Sequence, residues 1–401
     1  MDSNIMKTIF KYKIGLLLFL SLVITSCSET YNLQSNNYEQ ALVIEATITN
    51  EFKKQEIKIT KTSKFENTDT EVEAGATVTV FDNKGNNYRF KEDAGLYVSE
   101  TEFKAEPNTE YGLNILTSDG KIYQSSNEKL TTESSIISVT PEVVTLRNEG
   151  RGVQIKVKSY DPTNTSKYYR FKYEESYKII APKWADRKAI VTGPQEITLE
   201  PNSLDTKICY TVKNSTDIML MNTLDLTEDR VDYPIRFISD QNFIISYRYS
   251  ILVTQYVQSL ASYNFYRIMK EIAGNSSVLS PKQPGVLNGN IKCISNKDEK
   301  IIGFFDVSTV SSQRMFFNYA DLFPGEPIPP YFTDCQFSSY NFCFGFNDSN
   351  PCRGKELINA LENNQLTFFF LNPPDSYLMM PAECGDCTKF SANIKPSFWI
   401  D

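Results

Sequence analysis

The chain reads as a mainly β protein. An N-terminal Ig-like or transthyretin-like β-sandwich is followed by a larger β-rich domain with one or two short helices and a disulfide-stapled C-terminal region. Three observations predict this: short runs alternating apolar and polar residues at regular spacing, Asn/Asp/Gly turns between them, and seven cysteines gathered in the second half of 401 residues.

The first 26 residues are set apart. Lys7, Lys11 and Lys13 form a basic flank, and the apolar run from Ile14 to Ile24 is too short to cross about 30 Å of hydrocarbon comfortably. The run closes on Ile24-Thr25-Ser26-Cys27, a small residue directly before a cysteine, which predicts a signal peptide over 1–26 and lipid attachment at Cys27. Each buried methylene of an acyl chain contributes roughly 0.8 kcal/mol, so two or three chains hold such a protein on a bilayer. Polar residues 27–40 read as a tether.

Strands begin at Ala41-Leu42-Val43-Ile44. Glu56-Ile57-Lys58-Ile59-Thr60 and Ala76-Thr77-Val78-Thr79-Val80-Phe81 alternate at period two, the mark of a half-buried strand. Asp82-Asn83-Lys84-Gly85 and Asp119-Gly120 supply hairpin turns, around Tyr88-Arg89-Phe90, Gly95-Leu96-Tyr97-Val98 and Tyr111-Gly112-Leu113. About seven such strands make 41–132 the β-sandwich. In 133–401, strands are predicted at 152–158, 169–173, 207–212, 242–252, 301–307 and 314–317, with a helical insertion at about 255–273 and a shorter helix at 355–363.

Composition narrows the chemistry. Without the three lysines and one aspartate of the leader, 38 basic and 48 acidic side chains remain, a net charge of −10 that disfavours nucleic acid as a partner. There is no histidine, which removes Ser-His-Asp and Cys-His triads and the HExxH zinc hydrolases. Carboxylate-pair chemistry survives that test, yet no two acids can be nominated, so no catalytic residue, metal or cofactor is expected.

Cys209, Cys293, Cys335, Cys343, Cys352, Cys384 and Cys387 are all disulfide candidates, with one necessarily unpaired and the connectivity open. Cys384-Gly385-Asp386-Cys387 is a CxxC, but no helix start is evident there to activate a thiol, and structural disulfides are the expectation. Two aromatic features invite an interaction reading. Tyr168, Tyr169, Phe171, Tyr173 and Tyr177, with Trp184, are either a ligand platform or strand core, and the proline-rich loop 323–332 is either a rigid projection or a cover for a sheet edge.

Several segments resemble a known family. Leu42-Val43-Ile44-Glu45-Ala46, Gly75-Ala76-Thr77-Val78, Gly95-Leu96-Tyr97, Cys209-Tyr210, Tyr247-Arg248-Tyr249, Gly289-Asn290-Ile291, Gly303-Phe304-Phe305 and Lys395-Pro396-Ser397-Phe398-Trp399 look like recurrent blocks of the Bacteroidota lipoproteins grouped as domain of unknown function 4249. The resemblance implies an outer-membrane lipoprotein, often encoded beside TonB-dependent transporters, and brings no catalytic residues with it. The resulting expectation is a non-enzymatic binding or scaffolding protein. It would be anchored in the outer membrane by lipid, on the cell-surface side, as an accessory subunit of a β-barrel complex such as a TonB-dependent transporter. The alternatives are a surface receptor that binds a glycan or peptide directly, and a subunit of an outer-membrane assembly or secretion complex.

Overall fold

In the computed structural model the described residues are 41–62, 71–274, 287, 289–345 and 351–401. The leader 1–26, Cys27 and the tether 27–40 lie outside them.

Alternation builds the first unit. β1 (Leu42–Thr49) and β2 (Glu56–Lys61) pair antiparallel with Ile44 opposite Ile59, so one face of each strand is apolar and buried. β3 (Glu71–Val72) edges β2, and β4 (Thr77–Asp82), β5 (Asn87–Asp93) and β6 (Leu96–Ser99) continue the sheet as a meander. The β4–β5 turn is fixed by Asp82, whose carboxylate accepts from the backbone N–H groups of Lys84 and Asn86 at 2.9 and 2.8 Å, while Gly85 takes the positive φ of 92°. β7 (Glu110–Leu116), β8 (Ile122–Ser125) and β9 (Glu128–Lys129) complete the run.

Next come β10 (Ser135–Leu146), β11 (Gly150–Asp161), β12 (Tyr168–Ile180), the hairpin of β13 (Arg187–Gly193) and β14 (Glu196–Pro201), then β15 (Ile208–Asn214), β16 (Met219–Asn222), β17 (Asp229–Ser239) and β18 (Arg248–Val257). Helix α1 (Leu260–Gly274) leads through residues mostly outside the described set to β19 (Ile291–Cys293) and the long β20 (Ile301–Asn318). The chain ends with α2 (Tyr319–Leu322), β21 (Ser338–Asn341), α3 (Gly354–Glu362), β22 (Leu366–Asn372), β23 (Ser376–Pro381) and α4 (Ala382–Gly385). Among the described residues the fold is therefore mainly β with open sheets, four short helices and a disulfide-bridged C-terminal region.

One 15-stranded sheet runs β15-β12-β18-β20-β1-β2-β6-β5-β4-β7-β8-β19, with β16, β3 and β9 paired alongside. It serves two cores. At one end, Ile44, Ile57, Val80, Tyr97, Leu113 and their neighbours close on themselves, completed by Ile291, Cys293, Phe305 and Val307 from far along the chain. At the other end, β12, β18 and the end of β20 pack Phe171, Tyr249, Ile251 and Phe317 against Val153, Ile155 and Val231 of the separate sheet β10-β11-β17. A third, small core holds Leu357, Phe368, Tyr377 and Met379 near the C-terminus and takes in Ile197 and Leu199 of the β13–β14 hairpin.

Three expected elements differ. The strand foreseen at 242–252 begins instead as a 3-10 turn over Phe243–Ile245, because the Asn242 side chain accepts from the Ile244 N–H at 3.2 Å. The helix foreseen from residue 255 starts at Leu260, since Gln255, fully buried, stays extended to accept from Ser159 at 2.7 Å and donate to the Ser134 carbonyl at 2.8 Å. The strands foreseen at 301–307 and 314–317 are one strand, β20, whose polar middle spans the passage between the two large cores.

Candidate functional site

Period-two geometry sends successive side chains of a strand to opposite faces. On β12, Tyr169 and Phe171 enter the core, so Arg170, Lys172 and Glu174 face the other way. On β18 the core takes Ile251, Val253 and Val257, leaving Leu252, Thr254 and Tyr256 outward, and on β1 burial of Ile44, Ala46 and Ile48 turns Glu45, Thr47 and Thr49 outward. These outward rows meet where the large sheet passes from one core to the other. Together with Tyr266 of α1, they line a cleft of about 670 Å³, joined by an adjoining cavity of about 310 Å³ that shares Glu45, Arg170, Lys172, Ser215 and Tyr266.

Arg170 sits at the centre and lines both spaces. It pairs in register with Tyr256 across the β12–β18 ladder, and its guanidinium lies 4.3 Å from the Tyr256 ring centre and 4.4 Å from that of Tyr266, a cation clamped between two ring faces. Only 4% of Arg170 is exposed and its Nε has no hydrogen-bond partner. Nearby on β20, Asp306 is buried and accepts from Ser308 Oγ at 2.7 Å and Gln258 Nε2 at 3.2 Å. Burial pushes its carboxyl above the usual range, with Arg170 the main opposing influence.

The rim is basic. Lys172 is held below its ordinary value, first by the desolvating walls and then by the Arg170 charge, against the pull of Glu45. Among the acids of the larger space, Glu45 is engaged by Lys58 at 3.7 Å and Glu174 by Arg314 at 2.6 Å. Lys53 is taken by Glu51 at 2.5 Å. Among the described residues Lys54, Arg170 and Lys172 make no ion pair, and the carboxylates left to face them are Glu56 and, in the adjoining space, Asp217.

The cysteines form Cys209–Cys387, Cys335–Cys384 and Cys343–Cys352. Cys384 and Cys387 thus belong to different bridges, and the CxxC is no dithiol, although it does lie on a helical turn, α4. Cys293 has no disulfide; its buried thiol sits 3.3 Å from Ser295 Oγ, in β19. Stapling also reaches beyond the loop-rich end, because Cys209 belongs to β15 of the main sheet.

Of the aromatic run, Tyr169, Phe171 and Tyr177 are core, with Phe171 also bordering the adjoining cavity, Tyr168 lies tilted against Tyr263, Trp184 donates to Thr206 Oγ1 at 3.0 Å, and Tyr173 alone reaches the larger cleft. Loop 323–332 is sewn down: Phe323 is fully buried, Arg151 bridges to Glu326 at 2.6 Å, and the Tyr331 hydroxyl donates to the Glu383 carbonyl at 3.0 Å. Arg170 and Lys172, which alternate with the β12 aromatics, carry no role in the sequence reading. Their alternation was the available signal; Tyr256, assigned to a helix, hid the clamp.

The molecule is thus a β protein with a cationic cleft at the junction of its two large cores. It belongs to the family described as domain of unknown function (DUF4249), whose sequence profile matches residues 28–314. That match ends within β20, so the cysteine-bridged C-terminal core falls beyond it. No curated protein matches the chain. A solved structure of a DUF4785 family protein from Legionella pneumophila subsp. pneumophila str. Philadelphia 1 aligns at 11% identity over 53% of this chain and 49% of its own, with a TM-score of 0.16. The chain spans about half the length of that protein, and a likeness at this level carries no argument.

Proposed function

We propose that this is a lipid-anchored binding protein of the outer membrane, held by acylated Cys27 and acting as an accessory subunit of a β-barrel complex such as a TonB-dependent transporter. The cleft would receive cargo. The observation that carries the reading is the clamped, unpaired Arg170 in a space of about 670 Å³, within the size range of small-molecule sites. Lack of histidine in the chain supports binding over turnover, because the commonest proton-transfer side chain is missing. An acylated chain would stay on the membrane and hold the cleft near its barrel.

The test is affinity purification of the tagged protein after mild detergent extraction. A barrel protein should co-purify with the native chain and be depleted with a Cys27→Ser variant. Recovery of the protein alone from native membranes would overturn the assignment.

A further inference from the structure

We propose that the cleft binds a hydroxyl-rich molecule through its carboxylate, with Arg170 at the floor and Lys54 and Lys172 at the rim as the cationic partners. The inference rests on reading the cleft as the cargo site. Its first support is charge. The chain is acidic overall, yet this cleft gathers three cations without ion pairs among the described residues, against Glu56, Asp217 and, behind the wall, the buried Asp306, whose carboxyl burial pushes above its usual range. In a low-dielectric recess such an imbalance focuses a positive potential that concentrates anions.

Burial is the second support. An arginine only 4% exposed, with an unpartnered Nε, forgoes a hydrogen bond that would be worth more there than in water. The clamping rings of Tyr256 and Tyr266 cover its faces and cannot accept in its plane, which is the direction in which a guanidinium meets a planar carboxylate. Asp306 answers part of the charge, but it makes no ion pair with Arg170 among the described residues, and its Oδ2 is already engaged by Ser308 and Gln258.

The remaining wall fits hydroxyl groups better than apolar side chains. Thr47, Asn214, Ser215 and Thr254 contribute hydroxyls and an amide, and Tyr173 adds one aromatic surface, while Thr49 and Gln55 behind them are buried and bonded to each other. These groups can both donate and accept, as a polyol requires.

Calorimetry with the full chain in detergent tests the proposal, using trigalacturonate as the probe. Saturable binding is expected, weakened by about tenfold or more in a Lys54→Gln/Lys172→Gln double variant and unchanged by Lys91→Gln on the exposed face of β5. Both cleft lysines are solvent-exposed, so the double variant should fold normally, and Arg170→Lys provides a second reading that keeps the charge but loses the planar fork. Four results would each overturn the proposal: no saturable heat from trigalacturonate, equal affinity in the double variant, equal affinity for the methyl ester, or tighter binding of triglutamate, which lacks the hydroxyls. None of them bears on Cys27 or on a barrel partner, which the co-purification tests separately.

Discussion

Asp161 carries more of this fold than one exposed carboxylate would. In the turn from β11 to β12 it accepts from the backbone N–H groups of Thr163, Thr165 and Ser166 at 2.8, 3.0 and 2.8 Å and from the Thr163 hydroxyl at 2.6 Å. Burial raises its pKa, and these donors together outweigh that effect, leaving the carboxyl well below the usual range. A depressed folded pKa stabilises above the unfolded value of about 4 and loses that contribution as pH falls toward the folded value. Asp161→Asn should therefore cost roughly 1–3 kcal/mol at neutral pH. In urea titrations the gap to the native chain should narrow once pH drops below about 4; a gap that stayed constant down to acid pH would contradict this. Asn290 works in a related way. Its side-chain amide accepts from the Phe305 N–H at 2.8 Å and donates to the Phe305 carbonyl at 2.9 Å, standing in for a strand partner.

At the scale of elements, β20 joins the molecule. Its parallel pairing with β1 places Gly303 beside Ile44, where an added Cβ would lie 2.6 Å from the Ile44 carbonyl oxygen, and a Cβ added at Gly289 would overlap the Gly303 carbonyl outright. Gly303→Ala should destabilise by roughly 1–3 kcal/mol, since backbone rather than a flexible side chain would have to move. A denaturation midpoint equal to that of the native chain would show that the contact yields freely. The bridges can be ranked too. By the chain-entropy account, Cys209–Cys387, 178 residues apart, stabilises by roughly 5 kcal/mol and Cys343–Cys352, nine apart, by roughly 2–3 kcal/mol. Paired Cys→Ser variants measured by chemical denaturation should keep that order. Among helices, none in the described residues is long and apolar enough to cross a membrane.

For the whole molecule, the decisive prediction concerns attachment. Cys27→Ser should abolish radiolabelled palmitate incorporation and release the chain from sedimented envelopes, and a variant that sedimented equally would refute the anchor. The strand alternations of 41–132, the Asp82–Gly85 turn and the β-rich second half were all legible in the residues, because period two and turn chemistry are local properties. Arg170 and Lys172 were equally visible as the polar face of a strand. That Tyr256 and Tyr266 close on Arg170 was not, because the clamp depends on a strand register and on a helix laid across the sheet. Residues 308–313 looked like a break because they are polar, while in three dimensions they cross between cores, with Ser308 and Thr309 buried and Thr309 hydrogen-bonded to Thr131 and Thr132. Family, fold class and the supply of cysteines followed from the sequence alone. Which cysteines joined, which unit received residues 289–307 and where the unpaired cations gathered were decided by packing, since the Cys209–Cys387 bridge, the β1–β20 pairing and the Arg170 clamp all join elements far apart along the chain.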